Sequence, residues 1–320
     1  MFVIFLRTLA IFIMMLAGYI FRRRGMIDDD FNRKLSQLLL QVFYPALILS
    51  SISSNYALKD LLENWILPTA IFAYFAWGWI AGYGSSRLLF NKDTRTSRCF
   101  HFQCVSNNYS FLPIMLVMSL YGEKAIASVV FASLGAELFV WTMGIQALSG
   151  QRFTLQGLKN LVTMPMISLV SAIAIVLIKA FISYKGVNLS ESTPKVMETI
   201  KMLHEVCRTI GLATVPVSAI ICGSRMAAMK VARLDFKILS ILTALRLAVI
   251  PAVAILALKF IPIAIEIKRI IWIIMIQPVS MSSVSLAECY DGDAEFASAT
   301  VLSTHLLGLA SIPLWLSMLQ

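Results

Sequence analysis

The chain has 320 residues, of which 59% are hydrophobic and 14% charged, with a mean hydropathy of +0.81. Ordinary soluble domains hold roughly 45–50% apolar and about 25% charged residues, so too few polar side chains exist here to cover a water-facing surface and the surplus must face lipid. The formal charge of +10 lies in short clusters between apolar stretches, which argues against a nucleic-acid partner and for membrane orientation.

A window of about 20 residues, the helix length that crosses hydrocarbon, finds ten candidate spans. The first five are 2–21, 35–53, 65–90, 98–121 and 125–148; the next five are 161–182, 204–223, 236–260, 268–290 and 294–318. The first is expected to remain as a span, because Arg22-Arg23-Arg24 follows the apolar run where a secretory signal would have its basic cluster in front. Joints are short and polar, and the longest, with Lys185, Glu191, Pro194 and Lys195, separates no soluble domain. Lys and Arg favour the joints after odd-numbered spans, which predicts that these joints are cytoplasmic and both termini outside. The joint after span nine departs from this pattern, with Asp291, Asp293 and Glu295 and no basic residue. Five cysteines, an odd number without a CxxC pair, read as buried thiols.

The two halves look alike. Tyr44-Pro45 in span two corresponds to Val215-Pro216 in span seven, and Tyr121-Gly122-Glu123 at the end of span four to Tyr290-Asp291-Gly292 at the end of span nine, at nearly the same separation. A duplicated unit produces that pattern. With five spans per unit, the second copy enters the bilayer upside down, which predicts an all-α inverted repeat of residues 1–150 and 151–320.

Spans four and nine are each interrupted by polar residues and proline. Span four contains Ser106-Asn107-Asn108-Tyr109-Ser110 before Pro113, and span nine contains Gln277-Pro278-Val279-Ser280-Met281-Ser282-Ser283. Proline removes a backbone donor and disfavours helix in the residue before it, while Asn and Ser bond to the backbone groups a break sets free. A proline kink is the simpler reading of either run alone; its occurrence in corresponding spans predicts helices that open at mid-membrane. Irregular backbone at that depth must be enclosed by protein or line a watery cavity, and the helix starting after each break points N–H groups and a positive dipole end at it. An organic anion suits such a site. Ser106, Asn107, Asn108, Gln277, Ser280, Ser282 and Ser283 are the candidate hydrogen-bonding residues, with Pro113 and Pro278 shaping the breaks.

Pro45, the run from Ser106 to Pro113 with Leu120-Tyr121-Gly122, and Gln277-Pro278 with Ala287-Glu288-Cys289-Tyr290 resemble the auxin efflux carrier family. That group includes plant auxin exporters and bacterial carriers of organic acids such as malonate and malate. The resemblance extends over essentially the whole chain and implies a ten-helix fold like that of bile-acid sodium symporters. Spans one, two, six and seven would form a scaffold, often dimeric, and spans three to five and eight to ten a moving transport domain. It places the family's crossover asparagine at Asn107 or Asn108. The chain departs from the family beside Pro278, where Ser280 or Ser282 stands in for an asparagine.

Other ionisable groups fall within spans. Glu137 in span five and His305 in span ten are candidate acceptors of a coupling proton, with a structural role equally open. Arg246 in span eight has two readings, contact with a substrate carboxylate or pairing with an internal acid. Arg7, Lys179 and Arg208 lie near span ends and are expected to snorkel. Gly78 and Gly82 form a GxxxG read as close helix packing. The chain carries no Walker sequence, nucleophile elbow, dinucleotide glycine pattern or metal-ligand spacing, so no enzyme, cofactor or metal centre is expected. These features predict a secondary carrier of a small organic anion in a bacterial inner membrane. A sodium-coupled symporter of the same fold is the nearest alternative, and a channel a more distant one.

Overall fold

The computed structural model describes residues 2–150, 162–185, 194–229 and 235–319, and its regular elements are helices. The first predicted joint between the two units, from residue 151, and Glu191 lie outside the described residues. In chain order the helices are α1 (Phe2–Arg23), α2 (Asp29–Leu38), α3 (Tyr44–Asn55), α4 (Leu58–Glu63), α5 (Ile66–Leu89), α6 (Arg95–Val105), α7 (Phe111–Tyr121), α8 (Ile126–Phe139) and α9 (Ile145–Ser149). The second half continues with α10 (Met164–Tyr184), α11 (Pro194–Leu212), α12 (Thr214–Ala228), α13 (Phe236–Ala244), α14 (Ile250–Phe260), α15 (Ile265–Met275), α16 (Ser282–Cys289) and α17 (Ala294–Ser317).

Among the described residues, eight helices are long and apolar enough to cross a bilayer. They account for all the predicted spans except 98–121 and 268–290, where the chain instead forms two pairs of short helices, α6 with α7 and α15 with α16. The difference from ten has a local cause, since the two stretches break at the polar residues 106–110 and at Gln277-Pro278. Wide π-helical turns at Leu39–Phe43 and Leu245–Val249 are each followed by a proline, Pro45 and Pro251. A proline ring pushes against the carbonyl four residues back and has no N–H, so the preceding turn widens.

Close packing rests on small residues. Helix α1 crosses α12 where a Cβ on Gly223 would stand 1.6 Å from the Met15 carbonyl oxygen and one on Gly18 2.1 Å from that of Ile220. Only hydrogen fits at either place. Gly78 and Gly82 bring α5 against α6 in the same way, with Cys104 and His101 as the neighbours. Helices α10 and α11 pack on α3, and α5 packs on α8. Within α1 and α10 only 22% of the apolar window is buried, so these two present most of their side chains outward.

The acidic joint after span nine also gains a reason. Asp291 pairs with Arg95 at 2.5 Å; Asp293 caps the start of α17 by accepting from the Phe296 N–H at 2.9 Å and from the Thr96 hydroxyl at 2.6 Å. The acids there serve capping and local pairing.

Candidate substrate site

Helix α6 ends at Val105 and α7 begins at Phe111; α15 ends at Met275 and α16 begins at Ser282. The two intervening strips run antiparallel and touch. The Asn108 N–H donates to the Pro278 carbonyl at 2.8 Å, the Ser280 N–H donates to the Ser106 carbonyl at 3.0 Å, and Asn107 and Val279 form a β-bridge between them. Breaking a helix leaves buried N–H and C=O groups that must find partners, and here each break supplies them to the other. The side chain of Asn107 adds a third tie, donating to the Ile274 carbonyl at 2.5 Å near the end of α15.

A cavity of about 420 Å³ lies against this crossing. Ser106, Asn108, Ser280 and Ser282 line it, as do Ser110, Phe111 and Met281 at the starts of α7 and α16. The starts of α7 and α16 therefore border one space, and in α16 the Ser283 and Val284 N–H groups bond to the Ser280 and Met281 carbonyls at 3.1 and 3.4 Å. The Asn108 Oδ1 accepts from the Leu112 N–H at 3.4 Å, holding the side chain at the start of α7, and the Ser280 and Ser282 hydroxyls bond to each other at 2.8 Å. The cavity shares Ser36, Leu40, Arg225, Met281 and Ser285 with an adjoining space of about 620 Å³ that also touches Glu288 and Glu295.

The remaining candidates divide. Glu137 lines the cavity, its carboxylate accepting from the Tyr109 hydroxyl at 2.8 Å and the Trp141 indole N–H at 2.9 Å. The wide turn Val140–Gly144, which begins three residues later, turns Trp141 into the same space. Asn107, Gln277 and Ser283 are fully buried within the crossing and do not line the cavity. The Gln277 amide folds back onto the Ile273 carbonyl at 2.6 Å, and the Ser283 hydroxyl donates to the Ser280 carbonyl. Pro113 is buried in the first turn of α7, where a missing N–H costs no helical bond, and Pro278 contributes its carbonyl to the crossing. Pro45 begins α3 just beyond cavity-lining Tyr44.

His305 is fully buried with its Nδ1 2.8 Å from the Val301 carbonyl, away from the cavity. Arg246 does not line the cavity and, among the described residues, pairs with no acid: it is buried beside the crossing and donates to backbone carbonyls and to Tyr74. Lys179 and Arg208, expected to snorkel, have defined partners. Lys179 donates to the Ser53 carbonyl at 2.8 Å, and Arg208 grips Glu123 through two bonds of 2.7 and 2.8 Å.

Three of the cavity residues that sequence reasoning missed carry charge or hold one: Arg225, Tyr109 and Trp141. Arg225 on α12 is half-buried, and its guanidinium donates to the Ser36 hydroxyl at 3.3 Å; among the described residues it has no carboxylate within 4.0 Å. It reads as the first basic residue of a joint because it ends an apolar run, and only the small polar Ser224 before it hints otherwise. Tyr109 and Trp141 are the donors to Glu137: Tyr109 stands in the polar run of span four without being singled out, and Trp141 reads as an apolar residue within a span.

Multiple membrane-length helices, with two interrupted ones crossing beside a cavity that polar side chains from both breaks line, define a membrane transport protein rather than a receptor anchor or a bundle of plain spans. The chain belongs to the auxin efflux carrier family: the family model described as membrane transport protein matches residues 3–159 and 156–316. It is also similar to an uncharacterized transporter of Methanocaldococcus jannaschii, 24% identical over 315 residues, which are 96% of each chain.

Proposed function

We propose that this protein is a secondary carrier of a small organic anion, a mono- or dicarboxylate, that works by alternating access with its substrate held at the crossing of the two broken helices. The observation that carries the reading is the mutual bonding of the breaks, Asn108 to Pro278 and Ser280 to Ser106, with the starts of α7 and α16 facing one cavity. Two helix N-termini contribute partial positive charge where a carboxylate would sit, and Asn108, Ser280 and Ser282 can orient it. Arg225 on α12 supplies a full positive charge to the same lining. A volume of about 420 Å³ accommodates a small metabolite, falling in the range of roughly 300–1,000 Å³ usual for such sites.

In this reading the broken pairs α6–α7 and α15–α16 are two further crossings, giving ten in an inverted repeat of 1–150 and 151–320. The scaffold consists of α1–α3 and α10–α12, and the transport domain of the remaining helices. The apolar outward faces of α1 and α10 support a homodimer through that scaffold. The cavity is bordered by Ser36 near the start of predicted span two, by the start of α10 and by the end of α12, all next to odd-numbered joints, so in this reading it faces the cytoplasm of a bacterial cell with both termini outside. Glu137, held inside the cavity by two donors, is the candidate carrier of a coupling proton.

Reconstitution in liposomes with labelled mono- and dicarboxylates tests the site. Saturable uptake is expected, with Asn108→Ala and Arg225→Gln each lowering it about 10–100-fold, as loss of a hydrogen bond to a charged ligand does. Normal uptake by both variants would remove the site assignment, and flux that never saturates would replace the carrier with a channel.

A further inference from the structure

Arg246 is the largest fully buried side chain among the described residues, with 0% of its surface exposed. It sits in the wide turn Leu245–Val249 between α13 and α14, and no described carboxylate pairs with it. An isolated charge at that depth is costly unless other groups compensate for it. Its compensation is specific. Nη1 donates to the Cys104 carbonyl at 3.0 Å, Nε to that of Gln277 at 3.3 Å and Nη2 to that of Met275 at 3.3 Å. Nη2 also donates to the Tyr74 hydroxyl, which in turn donates to Met275 at 2.6 Å, and the guanidinium carbon stands 5.3 Å from the centre of the Tyr74 ring.

Cys104 is the last residue but one of α6, Met275 ends α15, and Gln277 lies in the break beyond it. The three carbonyls thus belong to the C-terminal ends of the two helices that stop at the crossing. Such ends carry unpaired carbonyls and a partial negative charge, and in carriers with discontinuous helices they commonly coordinate a sodium ion or proton. Here a side chain of the protein reaches both. The planar guanidinium has five N–H donors in a fixed fork and cannot lose its proton, so it can serve several carbonyls at once as a permanent cation.

We infer that Arg246 is a resident counter-cation of the crossing, performing for the carbonyl ends of α6 and α15 what an alkali ion performs elsewhere, so that the substrate site assembles without sodium. It is a positioning residue: it holds the two breaks in register while Asn108, Ser280 and Ser282 face the cavity. This rests on the reading of the crossing as the substrate site, and it decides against sodium coupling at that place.

The test is thermal unfolding of the purified full-length protein in sodium, potassium and choline chloride at equal ionic strength, which needs no substrate. The wild type is expected to melt at one temperature in all three salts. Arg246→Ala is expected to melt roughly 5–15 °C lower in choline, and to recover part of that loss in sodium or in millimolar methylguanidinium, which can occupy the emptied carbonyl cage. A purely packing role would give the loss without the cation-specific recovery. If Arg246→Ala does not accumulate, the wild-type salt series and Arg246→Lys decide, the lysine variant being expected to fold with a lower midpoint because it lacks the fork. A saturable, sodium-specific rise in the wild-type midpoint overturns the inference, as does an Arg246→Ala protein that matches the wild type in choline or shows no cation-specific recovery. Failure of the carrier reading would appear separately, as absent uptake in liposomes by a protein whose melting still follows these expectations.

Discussion

The two breaks occupy corresponding places in the sequence yet use their polar residues differently. In the first, the Asn107 amide reaches across to the Ile274 carbonyl and Asn108 faces the cavity, so the side chains tie the crossing and line the site. In the second, the Gln277 amide turns back onto Ile273 and Ser283 onto Ser280, so much of the polar chemistry stabilises its own strip and only Ser280 and Ser282 reach the cavity. The first break therefore works outward and the second chiefly inward. Its share of the crossing is made chiefly by backbone, through the Pro278 carbonyl and the Ser280 N–H, with a long 3.5 Å contact from the Ser283 hydroxyl to the Gln103 side chain of α6. An asparagine absent beside Pro278 is thus no gap in the crossing, because main-chain groups make those bonds.

That division gives equivalent substitutions unequal effects. The largest is expected in transport: Asn108→Ala should lower the initial rate of uptake about 10–100-fold, whereas Ser282→Ala, whose hydroxyl has Ser280 as its partner, should lower it about 2–10-fold. Uptake assays on the two variants side by side would break the comparison if the order were reversed. Stability comes next. Asn107→Ala leaves the Ile274 carbonyl buried without that partner and should destabilise the fold by about 1–3 kcal/mol, while Gln277→Ala removes a bond local to its own helix and should cost about 0.5–1.5 kcal/mol. Thermal midpoints in detergent measure both.

A subtler effect concerns the proton. Glu137 and His305 are indistinguishable in sequence as ionisable residues in paired spans, but only Glu137 lines the cavity. Glu137→Gln keeps an acceptor for Tyr109 and Trp141 while removing the titrating group, so uptake should lose its dependence on an imposed pH gradient and keep a measurable basal rate. His305→Gln should leave the pH response as in the wild type.

What could be read in advance follows the range of each interaction. The breaks were legible because proline and Asn act on the backbone within a few residues, and the helix lengths because hydrocarbon thickness sets them. GxxxG packing of α5 on α6 was legible for the same reason, as small residues at one spacing form one face. Arg246 was not, since its acceptors at 104, 275 and 277 come from two other helices and nothing around it in sequence specifies them. Arg225 was hidden by position: at the end of an apolar run a basic residue reads as an orientation signal, and only the folded cavity shows it facing inward. The joint after span nine departs from the charge pattern because Asp293 caps α17 and Asp291 meets Arg95, roles a count of charges does not contain.

The smallest expected effect lies at the other end of the molecule from the cavity mouth and sharpens the same comparison at the level of the whole protein. Arg208 on α11 grips Glu123, between α7 and α8, and also Glu205 at 2.6 Å on its own helix. In the proposed carrier this pair ties scaffold to transport domain on the side away from the opening, and alternating access has to release it. An exposed ion pair contributes little to stability, so Arg208→Ala should leave the melting temperature nearly unchanged. It should instead move the balance between the two facing states, because the bridge forms in one of them. Cys222 lines the cavity, and its rate of modification by a membrane-impermeant maleimide reports how open that side is. The rate is expected to fall in Arg208→Ala and to return in the Arg208→Lys variant; equal labelling of wild type and Arg208→Ala would show that the bridge does not bias access.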